Sequence, residues 1–174
     1  MLITCITHAD AREKKKYPFR GLTEQGWQEV NSAAEQFREL MDEETLVIET
    51  IVSSPKARCV ETAILFAKAV SEFTATSEIQ LDANLKAGSI RGKELFNLAK
   101  DIQVQHLLVS GHADLARTLP PQNKLISEAV KDGWFTTRPV LFQIEYGAGN
   151  SWDKARVVYC LGLVNGEWLN LLQP

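Results

Sequence analysis

The 174-residue sequence predicts an α/β layered domain on a largely parallel sheet, with an antiparallel hairpin at one edge. Three observations carry that prediction. Short runs of β-branched and aliphatic residues alternate with longer stretches whose apolar residues recur at three- and four-residue spacing. The early runs end in polar or glycine-containing turns that lead towards helical stretches. Near the C-terminus two apolar runs are joined by Asn165-Gly166, a pair suited to a tight hairpin turn.

Each element follows from its residues. Leu2 to Ile6 reads as a short buried strand. From Thr23, a plausible N-cap, the residues Trp27, Val30, Ala33, Ala34, Phe37, Leu40 and Met41 mark one apolar face of a helix, with Trp27 expected in the core. LVIETIV (46–52) is β-branched and stops at Ser53-Ser54-Pro55, which predicts a second buried strand. Val60, Ala63, Leu65, Phe66, Ala67, Val70 and Phe73 form the next helical stripe. IQL (79–81) suits a short strand, KELFNLAKDI (93–102) a helix, and HLLVSG (106–111) a third buried strand. His106, at that strand's start, is expected at the surface or in a cap. A short helix over 113–119 precedes an irregular stretch that holds Trp134-Phe135, a pair suited either to the mouth of a site or to anchoring its loop. PVLFQIEY (139–146), ARVVYCLGLV (155–164) and EWLNLL complete the strands.

The totals narrow the function. One domain over 1–174 is long enough to bury a core without staples. A net charge of −3 and a pI near 5.7 lack the basic footprint of a nucleic-acid binder. Cys5, Cys59 and Cys160 are odd in number and far apart, which predicts buried, reduced thiols. No apolar run reaches membrane-spanning length and the N-terminus turns polar too soon for a signal peptide, so a cytoplasmic protein is expected. The run Arg12-Glu13-Lys14-Lys15-Lys16 reads as solvated loop charge, or as a contact for an acidic protein or a substrate phosphate.

Three strand ends share one form. Ile6-Thr7-His8, the Ser53-Ser54-Pro55 turn followed by Arg58, and Gly111-His112 each place a cationic or protonatable side chain where a buried strand stops. Ligands of open α/β sheets gather at the carboxyl ends of parallel strands, beside helix N-termini that favour anions. Two imidazoles and a guanidinium there suit a phosphoryl group. The forked donors of arginine match its oxygens, a neutral imidazole can attack phosphorus, and a protonated one can stabilise charge.

On these motifs the chain resembles the histidine phosphatase superfamily, with its phosphoglycerate mutase-like fold, and in particular the small SixA-like phosphohistidine phosphatases. The likeness runs over roughly residues 1 to 118. Thr7-His8-Ala9 stands at the family's Arg-His-Gly or Arg-His-Ala. Arg20-Gly21-Leu22-Thr23-Glu24-Gln25-Gly26 stands at its Arg-Pro-Leu-Thr-x-x-Gly. Ser53-Ser54-Pro55-Lys56-Ala57-Arg58-Cys59-Val60-Glu61-Thr62-Ala63 stands at its Ser-Ser-Pro-x-x-Arg-x-x-Gln-Thr-Ala, and Gly111-His112 at its Gly-His.

The resemblance implies a three-layer α/β/α fold and a nucleophilic His8. Arg58 would clamp the phosphoryl oxygens, His112 would stabilise charge, and Arg20 would help hold the anion. No metal or other cofactor is implied, and the implied partner is a phosphorylated small molecule or a phosphoprotein. Two departures bear on activity. Thr7 replaces the family arginine beside the nucleophile, leaving a hydroxyl as phosphate ligand, and losing one such donor costs about 2.7–4 kcal/mol of transition-state stabilisation. Asn84 falls near the usual acidic residue, so Asp82 is the candidate general acid. A catalytically impaired relative that binds phosphate or a phosphorylated partner without efficient turnover is the alternative.

Overall fold

The computed structural model describes residues 1–41, 47–87, 92–118, 139–147 and 154–172. The irregular stretch from 120, including Trp134-Phe135, lies outside them. The strands are β1 (Leu2–Thr7), β2 (Thr50–Ser53), β3 (Ile79–Leu81), β4 (His106–Gly111), β5 (Val140–Glu145), β6 (Arg156–Val164) and β7 (Glu167–Asn170). They form one sheet in the order β3-β2-β4-β1-β5-β6-β7. β3, β2, β4 and β1 run parallel, whereas β5, β6 and β7 each pair antiparallel to their neighbours. The antiparallel edge is therefore wider than the terminal hairpin, because β5 returns beside β1. At that hairpin Asn165 and Gly166 take φ of 53° and 87°, the left-handed pair that a tight turn with primed geometry demands.

Helices α1 (Glu24–Leu40) and α2 (Ala57–Ala69) cover one face, and α3 (Gly92–Ile102) belongs to the other. Strand periodicity divides the core accordingly. Ile3 and Cys5 of β1, Leu107 and Val109 of β4, and Phe142 of β5 pack with Leu95 and Ala99 of α3. Ile6, Leu108 and Leu141 point the other way, into Val30, Ala34 and Phe37 of α1 and Ala63 and Phe66 of α2. This is the three-layer α/β/α sandwich that the motif likeness implied. Thr23 caps α1 by accepting from the Gly26 N–H at 3.0 Å.

Several elements differ from their sequence expectation. β2 is shorter than 46–52, because Ile48 makes only an isolated bridge, to Thr74. The second helical stripe breaks after Ala69 into a 3₁₀ turn, Ser71–Phe73. Trp27 is 49% exposed rather than core, since the buried face of α1 runs through Gly26, Val30, Ala33 and Phe37 and Trp27 lies roughly a quarter-turn to its side. His106 is fully buried instead of superficial: its Nε2 pairs with Thr4 Oγ1 at 2.8 Å, and that oxygen also accepts from Gln143 Nε2 at 3.1 Å. The imidazole is tolerated inside the sheet because Thr4 of β1, itself held by Gln143 of β5, pairs with it.

Candidate active site

The four parallel strands finish level. Thr7 of β1 is in register with Gly111 of β4, and Ser53 of β2 pairs with Ser110 and Leu81. One further backbone bond continues each ladder into the next residue: His8 N–H to Gly111 C=O at 2.8 Å, Ser54 N–H to Ser110 C=O at 3.0 Å, and Asp82 N–H to Ser53 C=O at 3.0 Å. His8, Ser54 and His112 are thereby fixed at the carboxyl ends of three adjacent strands. Arg58 comes from the first turn of α2.

These side chains meet. Arg58 Nε donates to His8 Nε2 at 3.0 Å, and Arg58 Nη2 lies 3.2 Å from His112 Nδ1. The two rings stand edge to face, with centroids 5.4 Å apart. Both histidines are buried and Arg58 is half-buried. The partners also assign the protons. His8 Nδ1 lies 2.9 Å from the Ala9 carbonyl, which can only accept, so Nδ1 carries the hydrogen and Nε2 presents its lone pair. A guanidinium can only donate, so His112 Nδ1 accepts and its Nε2 carries the hydrogen, directed at Ser54 Oγ 3.1 Å away. Cys59 Sγ packs on the same ring at 3.7 and 3.8 Å and donates to the Gly111 carbonyl at 3.4 Å.

The cluster faces a helix terminus. The N-cap residue of α2, Lys56, makes no side-chain cap and the first turn holds no acidic residue, so the initial N–H groups and the dipole add positive potential beside Arg58. Two carboxylates hold the surrounding loops. Glu29 Oε2 accepts from the Asp10 N–H at 2.9 Å, which ties the residues after His8 to α1, and Glu61 Oε2 accepts from the Leu22 N–H at 2.6 Å. The approach is close: a Cβ on Gly26 would meet the Asp10 carbonyl oxygen at 2.2 Å, and one on Gly21 would meet Glu61 Oε1 at 2.4 Å.

The other candidate residues lie apart from this cluster. Thr7 is fully buried, and its Oγ1 accepts from the Val140 N–H at 2.8 Å, so the hydroxyl caps the start of β5. Arg20 directs Nε at the Arg12 carbonyl at 2.8 Å, within the loop that follows His8. Asp82 follows β3, three strands from β1, or roughly 14 Å at the usual inter-strand spacing. Its Oδ1 accepts from the Asn84 N–H at 2.8 Å, and its side chain lines a cleft of ≈ 390 Å³ shared with Leu85, Glu94 and Leu98. Sequence reasoning missed Ser54, Cys59 and Glu29. The motif around Ser54 was visible but carried no role for the side chain. Glu29 lies on a helix face whose pattern otherwise reads as core and solvent.

The three cysteines are buried and free, and burial pushes the Cys160 thiol up to about 12. No helix among the described residues is long and apolar enough to cross a membrane.

No protein-family profile and no curated protein matches the chain. Solved structures do. A protein assigned as the phosphohistidine phosphatase SixA of Agrobacterium tumefaciens superposes with a TM-score of 0.63 at 20% identity, covering 92% of this chain and 97% of that one. The protein histidine phosphatase SixA complexed with tungstate gives 0.59 at 18% identity, covering 93% and 97%. Phosphoglycerate mutase from Plasmodium falciparum gives 0.51 at 14% identity, covering 91% and 88%. With this strand order, these helix layers and these neighbours, the chain has the phosphoglycerate mutase-like α/β fold.

Proposed function

We propose that the protein is a phosphatase that works through a phosphorylated His8, with phosphohistidine or another activated phosphate as substrate. The observation that carries this reading is Arg58, whose guanidinium reaches both His8 and His112 in one buried cluster at the strand ends. His8 Nε2 holds a lone pair and its Nδ1–H is anchored on the Ala9 carbonyl, the tautomer a nucleophile needs. As a phosphoryl group binds, Arg58 transfers its N–H donors to the phosphoryl oxygens. Nε2 forms a bond to phosphorus while the bond to the leaving group breaks. Water then attacks phosphorus on the line opposite Nε2, and the N–P bond breaks to release phosphate. Arg58 and the N–H groups that open α2, joined by His112 once its Nδ1 takes up a proton, supply the charge stabilisation on which such transfers depend. A tungstate complex of a structural neighbour supports an oxyanion site, because tungstate shares the tetrahedral shape of phosphate.

Thr7 favours a second reading, a relative that binds phosphorylated partners with little turnover. Its hydroxyl is buried against Val140 and so supplies no charge to a bound phosphoryl group. One experiment separates the two. Hydrolysis of an activated aryl phosphate is measured for the wild type, His8→Ala and Thr7→Arg, with mass spectrometry for an acid-labile phosphate on His8. The phosphatase reading expects wild-type turnover that is lost in His8→Ala. Silence in the wild type with a gain in Thr7→Arg supports the binder, and turnover undiminished in His8→Ala would falsify the proposed nucleophile.

A further inference from the structure

The loop that leaves the nucleophile strand has both ends rooted on the elements that carry the cluster. Ala11 bridges Leu22, and the Arg12 N–H bonds to the Gly21 carbonyl at 3.0 Å, closing residues 12–20 into a compact excursion three residues beyond His8. The far end is tied through Leu22 to Glu61, one helical turn along α2 from Arg58. Inside the loop, Lys16 and Tyr17 N–H groups bond to the Glu13 carbonyl, and Arg20 bonds from its N–H to the Tyr17 carbonyl at 3.0 Å. Arg20 holds a left-handed φ of 43°, a conformation that a non-glycine residue adopts at some cost. This is an ordered platform, and the side chains of residues 12–19 are exposed, while Arg20 turns inward to the Arg12 carbonyl.

Their chemistry is one-sided. Arg12, Lys14, Lys15, Lys16 and Arg20 stand against the single carboxylate of Glu13, in a chain of net charge −3, so the rest of the chain carries −7. Glu13 pairs with Lys16 at 3.5 Å, and the Arg12 guanidinium lies 5.2 Å over the Tyr17 ring. Lys14 and Lys15 are exposed and have no carboxylate partner among the described residues. Phe19 is 88% exposed and Tyr17 48%. A positive patch this small on an otherwise acidic chain fits a compact acidic patch. A nucleic acid or an anionic bilayer would press its continuous charge on the acidic remainder. Phe19 adds an apolar anchor of the kind that concentrates binding energy at protein interfaces.

We infer that the 12–20 loop docks an acidic protein surface and so selects protein-borne phosphoryl groups with acidic flanks for the site beside it. The inference rests on the phosphatase reading for the fate of the phosphoryl group, but the docking itself can be measured without turnover. A fluorescently labelled Asp/Glu-rich peptide and a Ser/Gln-rich one of equal length are titrated into the full chain and into Lys14→Glu/Lys15→Glu. In parallel, kcat/KM is read for p-nitrophenyl phosphate and for a phosphohistidine peptide with acidic flanks. The expected result is a preference for the acidic peptide that falls about tenfold in the double variant and fades with salt. Turnover of p-nitrophenyl phosphate stays within twofold, and Phe19→Ala weakens the acidic peptide at high salt as well. Equal affinity for the two peptides, or an undiminished preference in the double variant, overturns the inference. So does a matching fall in p-nitrophenyl phosphate turnover, or phosphatidylserine vesicle binding that the variant abolishes while peptide binding is unchanged. If no phosphate ester or phosphohistidine is turned over, the phosphatase reading fails and the peptide titration still decides the docking.

Discussion

Replacing Ser54 by alanine removes one oxygen from behind the second histidine, and the consequence follows from the proton assignment. His112 Nδ1 faces the Arg58 donor, so the ring hydrogen is on Nε2 and points at Ser54 Oγ, 3.1 Å away in a buried setting. In Ser54→Ala that N–H loses its oxygen acceptor and keeps the weaker contact to Cys59 Sγ at 3.7 Å. Removing the acceptor of a buried donor costs about 1–3 kcal/mol. For a chain of this size each kcal/mol shifts the melting point by roughly 2–4 °C, so Tm should fall by about 2–12 °C. The ring's alternative is to turn towards another acceptor, which takes Nδ1 away from Arg58 and lowers turnover together with stability. The assay combines thermal unfolding with the ¹⁵N spectrum of the histidine rings. Ser54→Cys keeps the shape with a weaker acceptor and should fall between the two. A Ser54→Ala protein that melts within a degree of the wild type, with the His112 hydrogen still on Nε2, would refute the reasoning.

Three further predictions concern the frame around the site. Gly26→Ala should lower stability by about 1–3 kcal/mol, despite the better helix propensity of alanine, because its methyl group meets the Asp10 carbonyl and no rotamer relieves it. A stabilised variant in denaturant titration would contradict that close approach. Thr7→Val keeps the side-chain shape but leaves the Val140 N–H without its acceptor, and should lose about 1–3 kcal/mol while Thr7→Ser loses less; equal midpoints for the two would sink the capping role. Burial raises the Cys160 thiol from 9.0 to about 12, so the folded state holds this proton more tightly than the unfolded chain. The stability this contributes is fully present below pH 9 and is lost as pH rises towards 12, at roughly 1.4 kcal/mol per pH unit. Cys160→Ala should show a shallower alkaline fall in Tm, and parallel curves would contradict the assignment.

The candidate cluster was legible where one chemical type at a strand end carries the meaning. His8, Arg58 and His112 were each found as a cation or imidazole after an apolar run, and the parallel ladders bring those ends level. What stayed hidden depends on contacts between distant residues. Thr7 offers a hydroxyl in either role, and only the pairing of β1 with β5 turns it towards the Val140 N–H. His106 was hidden because its partner Thr4, itself bonded to Gln143, lies on another strand, and burial of a polar ring depends on such partners. Trp27 shows the limit of periodicity, which cannot tell the centre of a helix's apolar face from its exposed edge. The fold was readable because alternation of strand and helix survives such local errors.

The strand order also has a consequence for how the molecule comes into being. β1 precedes the other described strands, yet its two neighbours are β4 and β5, which begin at His106 and Val140. At ribosomal rates of about 5–20 residues per second, the N-terminal strand waits roughly 5–20 s for its first lateral partner. His8 and His112 meet only after that delay, once β4 has been made, while β5, β6 and β7 are added to the sheet later still.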